Sequence, residues 1–255
     1  MDAHGEAARL EAGLRSRWVA YDIAGNEGSY VVTAPRVFAR YEGFALGAEV
    51  PLTRLDNGGA VSFGLSNPIV MAQYARRLSW AWSGEVGLQW ELPFGDQEHG
   101  LAGDHMMLLP WIGARRDFGA WHASGMLGYS HALEAHAHGA DTIAASPRLA
   151  KKLHEGHEHE GVTSPVLVNP HANREVQARV AVGWTRGRGT VEGFTLGQTD
   201  VTALKSRGPT SYLRAGASYE WSFARFTALQ FIADAPVTAA RRNEFEIGVG
   251  LKTGW

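Results

Sequence analysis

Seven of the chain's eleven histidines fall in one stretch: His131, His136, His138, His154, His157, His159 and His171. In "EAHAHG" and "LHEGHEHEG" the imidazoles stand two or three residues apart, with Glu155, Glu158 and Glu160 between them. Imidazole nitrogen and carboxylate oxygen together suit Zn²⁺, Cu²⁺ or Ni²⁺, and a histidine-rich tract reads as metal-binding by composition. The chain has no cysteine, which excludes thiolate metal sites and disulfides. The plainer reading is a solvated loop whose histidines hold metal loosely. His99 and His105 stand in a neighbouring connection and add two candidate ligands. At the start, Asp2-Ala3-His4 would chelate Cu²⁺ or Ni²⁺ in square-planar fashion only if Asp2 carried the free amine.

A second set of polar residues recurs at every other position: Arg9, Glu11, Arg15, Arg17, Arg36, Arg40, Glu49, Glu85, Gln89, Glu91, Glu175, Arg179, Arg214, Glu220, Glu246 and Lys252. Gathered inside a barrel, these charges either line a solute path and tune its selectivity or fill a narrow lumen with Arg–Glu pairs. An excess of arginine in that set would mildly favour anions. A hydrolytic site is a weaker alternative. His122 and Ser124 share a face, with Ser130 and His131 near the strand end, but no serine has a nucleophile-elbow glycine pattern. No catalytic residue is assigned, and the chain reads as a non-enzyme.

The elements that must position these groups are strands. A strand points successive side chains to opposite sides, so an every-second apolar pattern marks a ribbon with two unlike faces. "SWAWSGEVGLQWELPF" puts Trp80, Trp82, Val86, Leu88, Trp90 and Leu92 on one side, with Glu85, Gln89 and Glu91 opposite. Similar alternation runs through residues 8–18, 29–41, 44–52, 174–184 and 211–223, and less regular strands are expected near 61–74, 105–116, 120–131, 190–199 and 225–234. The last twelve residues, "EFEIGVGLKTGW", set Phe245, Ile247, Val249, Leu251 and Trp255 on one face. Including this stretch gives about twelve strands, each near the 9–11 residues of a tilted barrel span. Expected tight turns sit near residues 42–43, 76–77, 117–118, 187–188 and 224. Longer connections are expected at 23–29, 53–60, 95–104, 132–172, 200–210 and 235–243. Brief turns alternating with long loops are the habit of outer-membrane barrels, the turns being periplasmic and the loops extracellular.

Composition is compatible with this. The 255 residues carry a net charge of −2 and no basic run, which argues against a nucleic-acid partner. Mean hydropathy is −0.19, a value that alternating barrel strands produce without any helical span. The opening "MDAHGEAARLE" has no apolar core of a signal peptide, so an exported chain would be in its mature form. A soluble β-barrel binder would invert the faces, with apolar side chains inward. Aromatic residues at the strand ends and a polar face rich in glycine, arginine and glutamate favour lipid on the outside.

The stretch "GLQWELPFGDQEHG", followed by "GDHMMLLPWIGARRDFGAWHASGMLGYSHAL", resembles the outer-membrane channel proteins grouped with the meta-pathway phenol-degradation family. The matching residues are Leu92-Pro93-Phe94-Gly95, Gly103-Asp104 and Gly128-Tyr129, and "SNPIVMAQYARRL" upstream looks like the preceding strand. The resemblance covers roughly residues 30–131, with Phe94 replacing the commoner small polar residue. It implies an outer-membrane barrel that passes small solutes and supplies no catalytic residues.

The expectation is therefore one domain over residues 1–255: an all-β, transmembrane antiparallel barrel in the bacterial outer membrane. Its partners would be lipid, the barrel-assembly machinery that reads the terminal strand, and a small solute or metal ion. No cofactor is required, and Zn, Cu or Ni would bind in loop 132–172. The alternatives are a closed-lumen barrel with a surface metal-binding or structural role, and an outer-membrane hydrolase.

Overall fold

In a computed structural model, residues 8–23, 26–133, 168, 174–201, 211–238 and 245–254 are described. The alternating stretches form β1 (Arg9–Ile23), β2 (Asn26–Tyr41), β3 (Phe44–Glu49), β4 (Leu52–Asn57), β5 (Ala60–Leu65), β6 (Ile69–Arg77) and β7 (Trp82–Glu91). They continue as β8 (Met106–Phe118), β9 (Trp121–Leu133), β10 (Arg174–Arg186), β11 (Gly189–Asp200), β12 (Ser211–Ala224), β13 (Thr227–Pro236) and β14 (Phe245–Gly254). All pairings are antiparallel, and β1 bonds both β2 and β14, so the sheet closes on itself. The ring runs from β1 through β14 down to β6, then β3 and β2, twelve strands in all.

The two extra segments arise because two of the twelve strands are broken. β3 pairs with Arg36–Tyr41 of β2, and β4 pairs with Gly28–Thr33 of the same strand. The break falls at Val50-Pro51, where proline has no N–H to give the ladder. β5 and β6 are likewise separated by Ser66-Asn67-Pro68. In the sheet β5 pairs with β4 alone, so its second edge needs another cover.

Two connections differ from the sequence expectation. Residues 23–29 and 53–60 are hairpin ends instead of long loops: β1 and β2 stay paired out to Ile23 and Asn26, and β4 and β5 out to Asn57 and Ala60. The second hairpin turns on Gly58 and Gly59, both at positive φ (59° and 92°), the conformation that a tight hairpin demands. The turn expected at Arg76-Arg77 lies further on, where the N–H groups of Leu78 and Ser79 both donate to the Trp82 carbonyl. Arg77 closes it by donating to the carbonyls of Ser79 and Trp80.

The two faces of the wall are unlike. Large apolar side chains on the outer face are bare, for example Leu14 at 47%, Ile112 at 59% and Val180 at 59% exposure. On the inner face Val19, Tyr21 and Glu175 are at 1% or less. That inversion is stable only with hydrocarbon around the cylinder, so this is a transmembrane barrel. β10 gives the scale. Its outer face carries Arg174 and Arg186 at the ends, with Val176, Ala178, Val180, Val182 and Trp184 between them. Those twelve steps span about 40 Å of strand, or about 30 Å along the membrane normal at a tilt near 40°, which is the thickness of a bilayer core. Aromatic pairs such as Trp121–Trp184, with centroids 6.3 Å apart, mark the edge of that belt.

Candidate functional site: a charged lumen and an inward loop

The strand register sets which side chains meet inside. Arg15 lies opposite Ala34 and Gly250, Arg36 opposite Gly13 and Glu49, and Glu246 opposite Val19 and Asp234. By the same alternation Arg17, Arg40, Glu85, Glu91, Arg179, Arg214, Glu220 and Lys252 fall on the inner face. Most are ion-paired across strands. Arg15 reaches Glu49 at 2.7 Å and Arg40 reaches Glu11 at 2.9 Å. Lys252 reaches Glu220 at 2.8 Å. Arg214 bridges Asp234 and Glu246, the latter at 3.0 Å, and Arg17 lies 3.7 Å from Glu246. Among the described residues, Arg36 and Glu85 form no ion pair.

Four inner acids among the described residues escape the sequence reading: Asp117, Glu192, Asp200 and Asp234. Glu192 takes Arg179 on one oxygen and the His122 Nε2 on the other, at 3.2 Å. The His122 ring fills space above Gly183, where any Cβ would collide with it. These additions reverse the charge balance. On the inner face of the described strands, Arg9, Arg15, Arg17, Arg36, Arg40, Arg77, Arg115, Arg179, Arg214 and Lys252 stand with Glu11, Glu49, Glu85, Glu91, Asp117, Glu175, Glu192, Asp200, Glu220, Asp234 and Glu246. Among these described residues acids outnumber cations by one, so the condition for an anion preference, an excess of arginine, is not met. Nor is the wall charged all round. β8, β9 and β11 present Met107, Leu109, Trp111, Met126, Phe194 and Leu196 inward, with Trp111 lying over Gly87 of β7.

The loop end is narrowed by the connection between β7 and β8. Its chain bonds the broken strand: Leu92 N–H to the Pro68 carbonyl at 2.8 Å and Asp96 N–H to the Leu65 carbonyl at 2.7 Å. That covers the second edge of β5. Asp96 accepts from the His99 backbone at 3.2 Å, and Gly100 at φ 72° turns the chain inward. Leu101 then sits at 1% exposure in a cluster with Val19, Tyr21, Tyr30, Val32, Ala34, Leu55 and Val168, all from the inner wall except Val168. A Cβ at Gly64 would lie only 2.9 Å from Leu101 Cδ1, so the loop packs tightly on β5.

Asn67, in the strand break, holds both ends of this loop. Its Nδ2 donates to Glu91 Oε1 and to the Gly103 carbonyl, and its Oδ1 accepts from Gly95 N–H, all at 3.1 Å. At 4% exposure, this amide places three strong bonds where water scarcely reaches. Beside it, Thr53 and Ser66 share a buried hydroxyl bond of 2.6 Å.

The metal and assembly residues are located only in part. His131 sits on the outer face of β9, stacked on Tyr129 at 6.2 Å. His136, His138, His154, His157, His159 and His171 lie outside the described residues, as does Trp255. His99 and His105 pair with Asp96 and Asp104, and among the described residues no three such side chains converge on a metal position. Phe245, Ile247, Val249 and Leu251 point outward from β14, which closes the ring against β1. In the hydrolase alternative His122 would serve Ser124, but its Nε2 faces Glu192.

No protein-family model matches the chain. No curated protein matches it by sequence. Solved structures do match. An outer membrane channel from Pseudomonas putida F1 superposes with a TM-score of 0.69 at 9% identity, covering 100% of this chain and 99% of that one. The KdgM porin gives a TM-score of 0.53 at 9% identity over 95% of this chain and 98% of its own. The translocator domain of the autotransporter NalP from Neisseria meningitidis gives 0.51 at 11% identity, over 100% of this chain and 90% of that domain. At such identities the likeness is one of fold: a closed outer-membrane-type barrel over the whole chain.

Proposed function

We propose that this chain is a bacterial outer-membrane channel for small solutes, its path running along the charged inner face and narrowed by the inward loop at Leu101. The observation carrying this reading is the pairing of a polar, glycine-lined inner wall with a loop folded into the lumen. Short turns face the periplasm, the longer connections face outward, and β14 with Trp255 addresses the chain to the barrel-assembly machinery. The resemblance of residues 30–131 to the meta-pathway phenol-degradation group supports the same function. The KdgM porin has been solved in complex with disordered oligogalacturonate, a precedent for a polar solute in a similar barrel. With acids outnumbering cations on the inner face, an open path prefers cations weakly. Planar-bilayer recording tests this: small discrete steps and a reversal potential on the cation side are expected. Folded protein that gives no steps would remove the channel.

A closed-lumen barrel is the second reading, favoured by the apolar cluster around Leu101. In either case the histidine-rich connection 132–172 is proposed to bind Zn²⁺, Cu²⁺ or Ni²⁺ in transient fashion. Calorimetric titration of the intact chain against a chain lacking residues 132–172 tests that role, and identical isotherms reject it. Lipase and protease assays in detergent test the non-enzyme reading, with turnover as the contrary result.

A further inference from the structure

Charge on the outer face is confined to two zones. Among the described strand residues, the loop end carries Asp22, Glu27, Arg54, Asp56 and Arg174, of both signs. The turn end carries Arg76, Arg116 and Arg186; no outward strand residue beside them is acidic, and the acid of the adjoining β2–β3 turn is Glu42, next in register to Arg76. All three arginines are exposed, and none has an ion-pair partner among the described residues. The Arg116 guanidinium lies over aromatic rings instead, 5.4 Å from the Trp82 centroid and 4.8 Å from that of Phe118. Nearby turns add Arg188, bonded to the Phe223 carbonyl, and Arg225, over the Phe226 ring.

The geometry restricts what these groups can meet. Arg76, Arg116 and Arg186 stand on β6, β8 and β10, alternate strands of one continuous wall, two strand spacings (about 10 Å) apart across the sheet and offset by a further two to four residues along it. They point away from the lumen at the edge of the apolar belt, where Trp82, Trp121 and Trp184 also sit. A soluble protein reaches that level only by displacing lipid, whereas headgroups occupy it already. A guanidinium presents a planar fork that matches two phosphate oxygens, and ring stacking fixes its plane at the interface. A local excess of cations, five arginines to the one Glu42, discriminates by charge: a zwitterionic headgroup brings its own ammonium, and an anionic one does not.

From this, resting on the membrane-barrel reading above, we propose that the Arg76–Arg116–Arg186 band binds the phosphodiester headgroups of anionic phospholipid in the leaflet on the turn side. The test is native mass spectrometry of the full chain released from vesicles of equal phosphatidylglycerol and phosphatidylethanolamine. The expected wild-type result is retention of phosphatidylglycerol by roughly threefold or more over phosphatidylethanolamine. In R76S/R116S/R186S the ratio falls to near parity, while R54S/R174S at the opposite rim keeps it. Heat-modifiable gel migration reports insertion separately, so loss of the barrel is distinguishable from loss of the lipid preference. If the triple variant does not insert, each single substitution is expected to lower the ratio by itself. Parity in the wild type, or an unchanged ratio in inserted variants, would overturn the proposal and leave the arginines to a soluble acidic partner.

Discussion

Replacing Asn67 by leucine keeps the branched side-chain skeleton and removes all three bonds that hold the inward loop. Each is 3.1 Å long, the bond to Gly103 buried and the other two partly so, and each contributes about 1 kcal/mol net, rising toward about 2 where its partner is stranded. The loop's docking free energy therefore falls by about 3–4 kcal/mol, a shift of two to three decades in the docked-to-undocked ratio. What remains is the burial of Leu101, about 1.5–3 kcal/mol, together with the backbone bonds from Leu92 and Asp96. The loss is comparable to the remainder, so the loop spends a measurable fraction of time away from Leu55 and Tyr30. Single-channel recording of N67L is expected to show larger steps and more open-channel noise than the wild type. N67D keeps the acceptor for Gly95 but sets a second carboxylate against Glu91, and is expected to fall between the two. Gel migration before and after heating establishes that the barrel is intact. Unchanged conductance and noise in folded N67L would refute the idea that this amide sets the constriction.

Other substitutions probe the wall. R214M leaves Asp234 and Glu246 without their bridging cation and is expected to cost about 3–5 kcal/mol, read as a lower urea midpoint for loss of the folded gel band. An unshifted midpoint would mean that water already screens the cluster. V180R sets a charge on the outward face midway along β10, at a cost of about 2–4 kcal/mol of insertion stability, while V180L is neutral. G183L drives the His122 ring away from Glu192, so the folded yield is expected to drop by more than for A181L one pair along.

Much of this arrangement was legible in the residue pattern. On β1, β2, β10, β12 and β14 one face is apolar and the other charged, so the strand and its orientation read directly from the alternation. The pattern fails where both faces carry similar residues. On β11 Phe194 and Leu196 point inward while Gly193, Thr195 and Gly197 point outward, which hid Glu192 just before them. Asp234 was hidden because Ile232 precedes it on the inner face of β13. The broken strands escaped for another reason. Pro51 and Pro68 look like loop signals, yet each interrupts a strand that resumes on the same partner or beside it. Asn67 carried no sequence signal, because its role depends on Glu91, Gly95 and Gly103, which come near it only through the loop's fold.

The central claim is that hydrocarbon surrounds this cylinder and its ionic side chains lie within. Because the chain contains no cysteine, single cysteines can be placed without background. In lipid vesicles, cysteine at Leu10, Leu14 and Trp18 is expected to resist a charged thiol reagent, and a fluorophore there to be quenched by lipid-borne quenchers. Cysteine at Glu11, Arg15 and Arg17 is expected to react with the charged reagent and to escape the quenchers. The reverse alternation along β1, or equal labelling of both sets, would contradict the account.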